Sequence, residues 1–147
     1  ADKKIASTIS KCQSHTTSNP STPSQWASLE ALTGPQDFIA SIKEKLDKRR
    51  KLMTNTLNTI PNISCLVPQG AFYAFPNIKG LFGKQSKSGL ITGSVSFCEY
   101  LLAEKKVACI PGAGFGADES IRLSYAISEE KIKEALARIN EWVQSLK

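Results

Sequence analysis

Arg122 stands in an alternating run, IRLSY at 121–125, soon after the glycine-rich segment GAGFG at 112–116. The alternation predicts a strand with Ile121, Leu123 and Tyr125 on one face and Arg122 and Ser124 on the other. A planar guanidinium fixed on a strand can hold a carboxylate or phosphate through two parallel hydrogen bonds. The competing reading is an ordinary arginine on the solvated face of an edge strand. The apolar run VACI at 107–110 predicts a buried strand, stopped by Pro111 and Gly112. Gly112, Gly114 and Gly116 predict a loop that takes positive φ and brings backbone close to a ligand or a neighbouring element. Their spacing is G-x-G-x-G and a strand follows, whereas the dinucleotide fingerprint is G-x-G-x-x-G and opens a helix.

Other reactive side chains are sparse. His15, the single histidine, has no Ser, Cys or acidic partner at motif spacing and is expected to be a hydrogen-bonded structural residue. Cys12, Cys65, Cys98 and Cys109 are widely spaced without a C-x-x-C pair, which argues against a zinc site or a disulfide framework. Cys65 and Cys109 lie in apolar runs and read as small buried hydrophobes. The net charge of +6 is mostly lysine. Its densest run, KEKLDKRRK at 43–51, reads as a solvated helix face. A nucleic-acid surface would interleave arginine with aromatics, and that pattern is missing, so no nucleic-acid partner is expected. No apolar run reaches membrane-spanning length, so no membrane partner is expected either. The first residues lack the apolar core of a signal peptide, which gives a cytoplasmic expectation.

PGAGFGADESIRLSYA at 111–126, with QSHTTSNP at 13–20 and PQGAFYAFPNI at 68–78, resembles the C-terminal part of class I pyridoxal-phosphate aminotransferases. The likeness is strongest to the aspartate aminotransferase group, in its bacterial and plant-like branch. It runs in order over residues 3–147, and its most specific piece is R-L-S-Y-A after P-G-x-x-F-G. Residues 77–92 are the least family-like. The resemblance implies transfer of an amino group between an amino acid, aspartate foremost, and a 2-oxo acid such as 2-oxoglutarate. Prephenate, aromatic or broad-specificity transfer is the alternative, as is a free-standing small-molecule binding domain built on the Arg122 strand.

The resemblance also implies roles for particular residues. Arg122 matches the arginine that grips the substrate α-carboxylate, and Phe72 a residue close to bound substrate. Ser18 and Asn19 match a loop that reaches the active site of the partner subunit in a homodimer. The implied cofactor is pyridoxal phosphate, an electron sink held on a lysine in an S-x-x-K motif. No lysine here follows a strand in such a motif, and SIKEK at 41–45 falls inside an expected amphipathic helix. The resemblance therefore implies no catalytic residue in this chain and a missing N-terminal large domain. The chain alone is expected to be inactive and not to bind pyridoxal phosphate stably.

The elements that must position these residues make an α+β arrangement: a small sheet with helices packed on it. By resemblance this is the C-terminal small domain of a fold-type I pyridoxal-phosphate-dependent transferase. Helices are expected at 2–14, 24–32, 35–60, 94–105 and 129–146. The second is capped by Thr22, has Pro23 first, and turns Trp26, Ala27 and Leu29 inward. The third carries an apolar stripe of Phe38, Ile39, Ile42, Leu46, Met53 and Leu57, and Pro61 stops it. The fourth points Phe97, Tyr100 and Leu101 inward. The last has Ser128 as N-cap and a stripe of Ile132, Leu136, Ile139 and Val143. Residues 16–23 read as a loop, 63–67 and 70–75 as a hairpin, and 76–93 as a long polar loop that is functional, mobile or inserted. Residues 1–34 are expected to be a helical segment and loop on the large-domain and interface side, and 35–147 the small domain. A helix opening the chain with no strand before it suggests a piece of something longer.

Overall fold

The structure is a computed structural model describing residues 1–147, and it divides into two compact units, 1–40 and 41–147. The first unit holds α1 (Lys3–Thr16), α2 (Thr22–Thr33) and the start of α3 (Asp37–Leu57). The Asp2 carboxylate caps α1 by accepting the Lys4 N–H at 2.8 Å. The N-cap of α2 is Ser21, one residue earlier than expected. Pro23 then falls within the first turn, where a missing N–H costs nothing. Gly34 closes α2 by donating its N–H to the Glu30 carbonyl at 2.8 Å.

Two expectations fail in this unit. Trp26 (67% exposed), Ala27 and Leu29 do not turn inward, and neither α1 nor α2 buries any residue. Two short helices and the first turn of a third have too little surface to enclose a tryptophan. His15 is exposed in the last turn of α1 and is not the hydrogen-bonded structural residue expected.

The second unit begins within α3. Its charged run is laced by ion pairs, Glu44–Lys48, Asp47–Arg50 and Asp47–Lys51, as a solvated helix face requires. Met53 and Leu57 face the core, and the helix ends at Leu57 rather than at Pro61. Asn58 explains the early end. Its amide accepts the Cys65 N–H and donates to the Cys65 carbonyl, so it serves as a strand neighbour. With Cys65 satisfied by a side chain, the expected hairpin does not form. Leu66 lies 90% exposed, Ala71 takes φ 58°, and the Pro68 carbonyl accepts from Arg50 instead. Ser64 instead pairs antiparallel with Asn77, beyond the second expected segment.

The sheet consists of β1 (Tyr73–Ala74), β2 (Ile110–Pro111) and β3 (Ile121–Ser124), in the order β1-β3-β2 and antiparallel throughout. The register pairs Tyr73 with Ser124, Ala74 with Leu123, Ile110 with Arg122 and Pro111 with Ile121. Arg122 is therefore on the central strand, not an edge. Ile121, Leu123 and Tyr125 are buried, while Arg122 and Ser124 are half-buried on the other face, as the alternation predicts. The strand expected at 107–110 is shorter. Lys106 ends the preceding helix with φ 57°, and residues 107–109 form no ladder with β3, whose pairing with β2 is confined to Ile110 and Pro111.

Residues 76–93 are not a loose polar loop. Ile78, Leu81 and Ile91 are fully buried, and Gln85 and Lys147 exchange backbone hydrogen bonds at 2.9 and 3.1 Å. Sequence periodicity misses this because three isolated apolar anchors suffice to fix a non-repeating segment. The core is closed by α4 (Ser94–Lys105) and α5 (Glu129–Ser145). The Ser128 hydroxyl caps α5 by accepting the Lys131 N–H. The expected stripe is buried, together with Trp142, which packs edge-on against Phe97 at 5.1 Å. The Trp142 Nε1–H donates to Glu104 at 2.8 Å, and the other Glu104 oxygen accepts the Ser88 N–H at 2.8 Å. Burial pushes the Glu104 carboxyl up, but these hydrogen bonds outweigh it and leave the group below its usual range.

The cysteines divide as expected at Cys65, which is buried, whereas Cys109 is only half-buried. Cys109 donates its S–H to the Cys98 sulfur at 3.2 Å, and both are free thiols. The spacing of the cysteines gave no sign of this contact, because it joins α4 to the approach of β2 through the fold.

Candidate functional site

The outer face of β3 presents Arg122, with its guanidinium over the Tyr73 ring (4.5 Å from Cζ to centroid) and the Phe115 ring (4.6 Å). Arg50 and Arg138 spend their N–H groups on Asp47, Pro68, Lys105 and Glu134. Arg122 donates to no acceptor of the chain and joins none of the five ion pairs. Ring faces attract the cation but accept no in-plane N–H, so the fork is held and its donors are unspent. Such a group is poised for an external carboxylate or phosphate.

Tyr73 sits there because β1 pairs it with Ser124, two residues along from Arg122 and on the same face of β3. Tyr125 secures the approach to β1, donating its N–H to the Phe72 carbonyl at 2.9 Å and its hydroxyl to the Ala71 carbonyl at 3.1 Å. Phe115 comes from the turn Gly112–Phe115, which is a single 3-10 turn. Of Gly112, Gly114 and Gly116, only Gly116, which follows the turn, takes positive φ, 75°. Gly112 serves close approach instead: a Cβ there would clash with the carbonyl oxygens of Ala117 and Ser120. The Ser94 hydroxyl accepts the Ala113 N–H at 3.1 Å and donates to Asp118 at 2.7 Å. Asp118 also accepts the Ser94 N–H at 2.9 Å. Phe75 meets Phe115 edge-on at 6.1 Å.

Asp118 carries a pH dependence. The Ser94 hydroxyl, then the Ser94 N–H, hold its carboxyl below the ordinary range. A depressed carboxyl stabilises the fold above its unfolded-state pKa, and the contribution is lost as pH falls through the lower folded value. Asp118→Asn is therefore expected to melt below wild type at neutral pH, with the gap closing below about pH 4. Melting curves across that window check this, and a gap that stays constant contradicts it.

Of the residues expected at a site, Arg122 and Phe72 lie in the second unit. Phe72 is exposed and meets Tyr73 with the rings tilted by 47° at 4.5 Å, one ring removed from the guanidinium. Ser18 and Asn19 lie in the first unit, in the turn between α1 and α2, where Ser18 takes φ 55° and donates its N–H to the Gln13 carbonyl. They line a polar groove of about 220 Å³ with Gln13 and Ser14. A larger groove of about 580 Å³, lined by Cys65, Leu66, Phe75, Asn77 and Ser120 among others, shares Phe75 with the aromatic group. Tyr73 and Phe115 were missed from sequence. The signal was present in GAFYAF, whose alternation puts Tyr73 and Phe75 on one face, but Phe115 reaches that face only through the fold.

This is a small α+β domain whose sheet presents an arginine fork framed by aromatic rings. The model of the family described as aminotransferase class I and II matches residues 1–139, and the chain belongs to that family. An aspartate aminotransferase of Rhizobium meliloti (strain 1021) is 45% identical over 138 residues, covering 93% of this chain and 34% of that protein. An aspartate/prephenate aminotransferase of Cereibacter sphaeroides is 44% identical over 135 residues, covering 91% and 34%. The crystal structure of the aspartate aminotransferase from Rhizobium meliloti superposes with a TM-score of 0.91 at 43% identity, over 98% of this chain and 36% of that one. The chain thus spans about a third of the length of the relatives it matches.

Proposed function

We propose that the chain is the C-terminal portion of a pyridoxal-phosphate-dependent aminotransferase, in which Arg122 binds the substrate α-carboxylate. The observation that carries the reading is the Arg122 fork, framed by two rings and bonded to nothing in the chain. Two parallel hydrogen bonds to a carboxylate fix its position and plane, so the rest of the amino acid can turn only about the Cα–carboxyl bond. Anchoring that end narrows the orientations in which Cα meets the reacting group, and orientation of this kind lowers barriers by prepaying entropy.

The family implies pyridoxal phosphate, which supplies an electron sink for bonds broken at Cα. The residues of this chain do not fit that group: no lysine is buried, and none lies on the Arg122 strand. Its binding falls to the two thirds of the relatives' length that this chain does not span. Phe72 lies close to substrate in this reading. Residues 1–34 belong to the large-domain and interface side, and Ser18 and Asn19 face the active site of the partner subunit of a homodimer. The exposed Ile5, Ile9, Trp26, Leu29 and Leu32 support such packing, since apolar surface of this extent normally has a partner. The free cysteines accord with a cytoplasmic enzyme.

The favoured amino donor is aspartate, which the names of several relatives bear, and the favoured acceptor is 2-oxoglutarate; the name of the Cereibacter relative supports prephenate as the alternative substrate. No helix is long and apolar enough to cross a membrane. The test is a panel of amino donors and 2-oxo acids assayed with the full-length enzyme. Aspartate with 2-oxoglutarate is expected to give the highest kcat/KM. A preference for aromatic donors or prephenate would move the assignment to the second reading, and no transfer with any pair would end both.

A further inference from the structure

We infer that Tyr73 and Phe115 are positioning residues, whose ring faces hold the Arg122 guanidinium at the angle in which its N–H fork meets a substrate carboxylate. The inference rests on the carboxylate-binding reading of Arg122 and adds the residues that make that arginine directional. An arginine side chain has four rotatable bonds and loses about 2 kcal/mol of rotamer entropy when fixed. Such fixing usually comes from acidic partners, but an acidic partner would occupy the donors that a substrate needs. Two rings avoid the conflict, because they attract the cation through its face and leave the in-plane N–H groups free.

Both rings are themselves braced. Tyr73 is held by its place in β1 and by the Phe72 ring at 4.5 Å. Phe115 is held by Phe75 and by a turn tied to α4 through Ala113, Ser94 and Asp118. The rings come from two elements, β1 and the turn before β3, so the guanidinium is held from two places in the fold, which Phe75 links by its contact with Phe115. The part of Tyr73 that meets the cation is its ring, 4.5 Å from centroid to Cζ.

The test is a set of double-mutant cycles in the full-length enzyme. Tyr73→Leu and Phe115→Leu are each expected to lower kcat/KM for the amino donor by about two- to thirtyfold, the range of one cation–π contact. Tyr73→Phe keeps the ring and is expected to stay within about twofold of wild type. In an Arg122→Ala background, Tyr73→Leu and Phe115→Leu are expected to add less than twofold, because their effect passes through the arginine. A merely structural role would not vanish in that background. Phe115 lies on an exposed turn, so its variant tests the idea even where Tyr73→Leu disturbs the sheet.

Undiminished losses in the Arg122→Ala background would overturn the positioning role while leaving the carboxylate reading intact. Wild-type rates for both Leu variants beside a crippled Arg122→Ala would do the same. A wild-type rate for Arg122→Ala itself would overturn the carboxylate reading, and the positioning role with it.

Discussion

Arg122→Ala in the full-length enzyme is expected to lower kcat/KM for every amino donor by more than a hundredfold, and Arg122→Lys by about ten- to a hundredfold. A hydrogen bond to a charged group contributes about 1.5–3 kcal/mol, and lysine keeps the charge while losing the paired geometry. Alanine loses both. Each lost interaction reads directly as transition-state stabilisation in kcat/KM. The fold itself should tolerate the change, because the guanidinium faces outward from β3 and supports no other side chain through a hydrogen bond. Near-normal kcat/KM of Arg122→Ala with every donor would make the residue an ordinary strand arginine.

The second large effect concerns stability. Trp142 is fully buried, meets Phe97 edge-on and bonds to Glu104, so it joins α5 to α4 and to the loop carrying Ser88. Trp142→Ala removes a large side chain where neighbours cannot collapse, and changes of this kind cost about 3–5 kcal/mol. Whole domains are stable by only about 5–15 kcal/mol, so a substantial unfolded fraction is expected at 37 °C. Trp142→Phe keeps a ring against Phe97 and should cost clearly less. Denaturant unfolding measures both, and a midpoint for Trp142→Ala equal to wild type would remove this residue from the centre of the core.

Much of this was legible in the sequence where a period or a punctuation residue carries the information. The alternation at 121–125 put Arg122 on the open face, and Ser128 with the stripe Ile132, Leu136, Ile139 and Val143 placed the last helix. Failures came where a side chain replaced backbone pairing or where anchors lacked a period. Asn58 satisfied Cys65 and abolished a hairpin that residues 63–75 predicted. Ile78, Leu81 and Ile91 ordered a segment that reads as polar. Trp142 lay one position outside the expected stripe, because a ring that wide is buried at an angle that a smaller side chain could not fill. The candidate site was half legible: the arginine and its face followed from alternation, but its neighbours Tyr73 and Phe115 are 42 residues apart and meet only through the β1–β3 register and the turn at 112–115.

The most direct measurement is the binding of a dicarboxylate without an amino group, such as succinate, to the full-length enzyme and its Arg122→Ala variant. Binding involves no bond breaking, so it isolates the carboxylate contact from the rest of the reaction. Calorimetric titration should give a Kd at least about tenfold weaker for the variant, the loss expected from a charged hydrogen bond. Equal affinities in the two proteins would contradict the assignment of Arg122 as the group that holds the carboxylate.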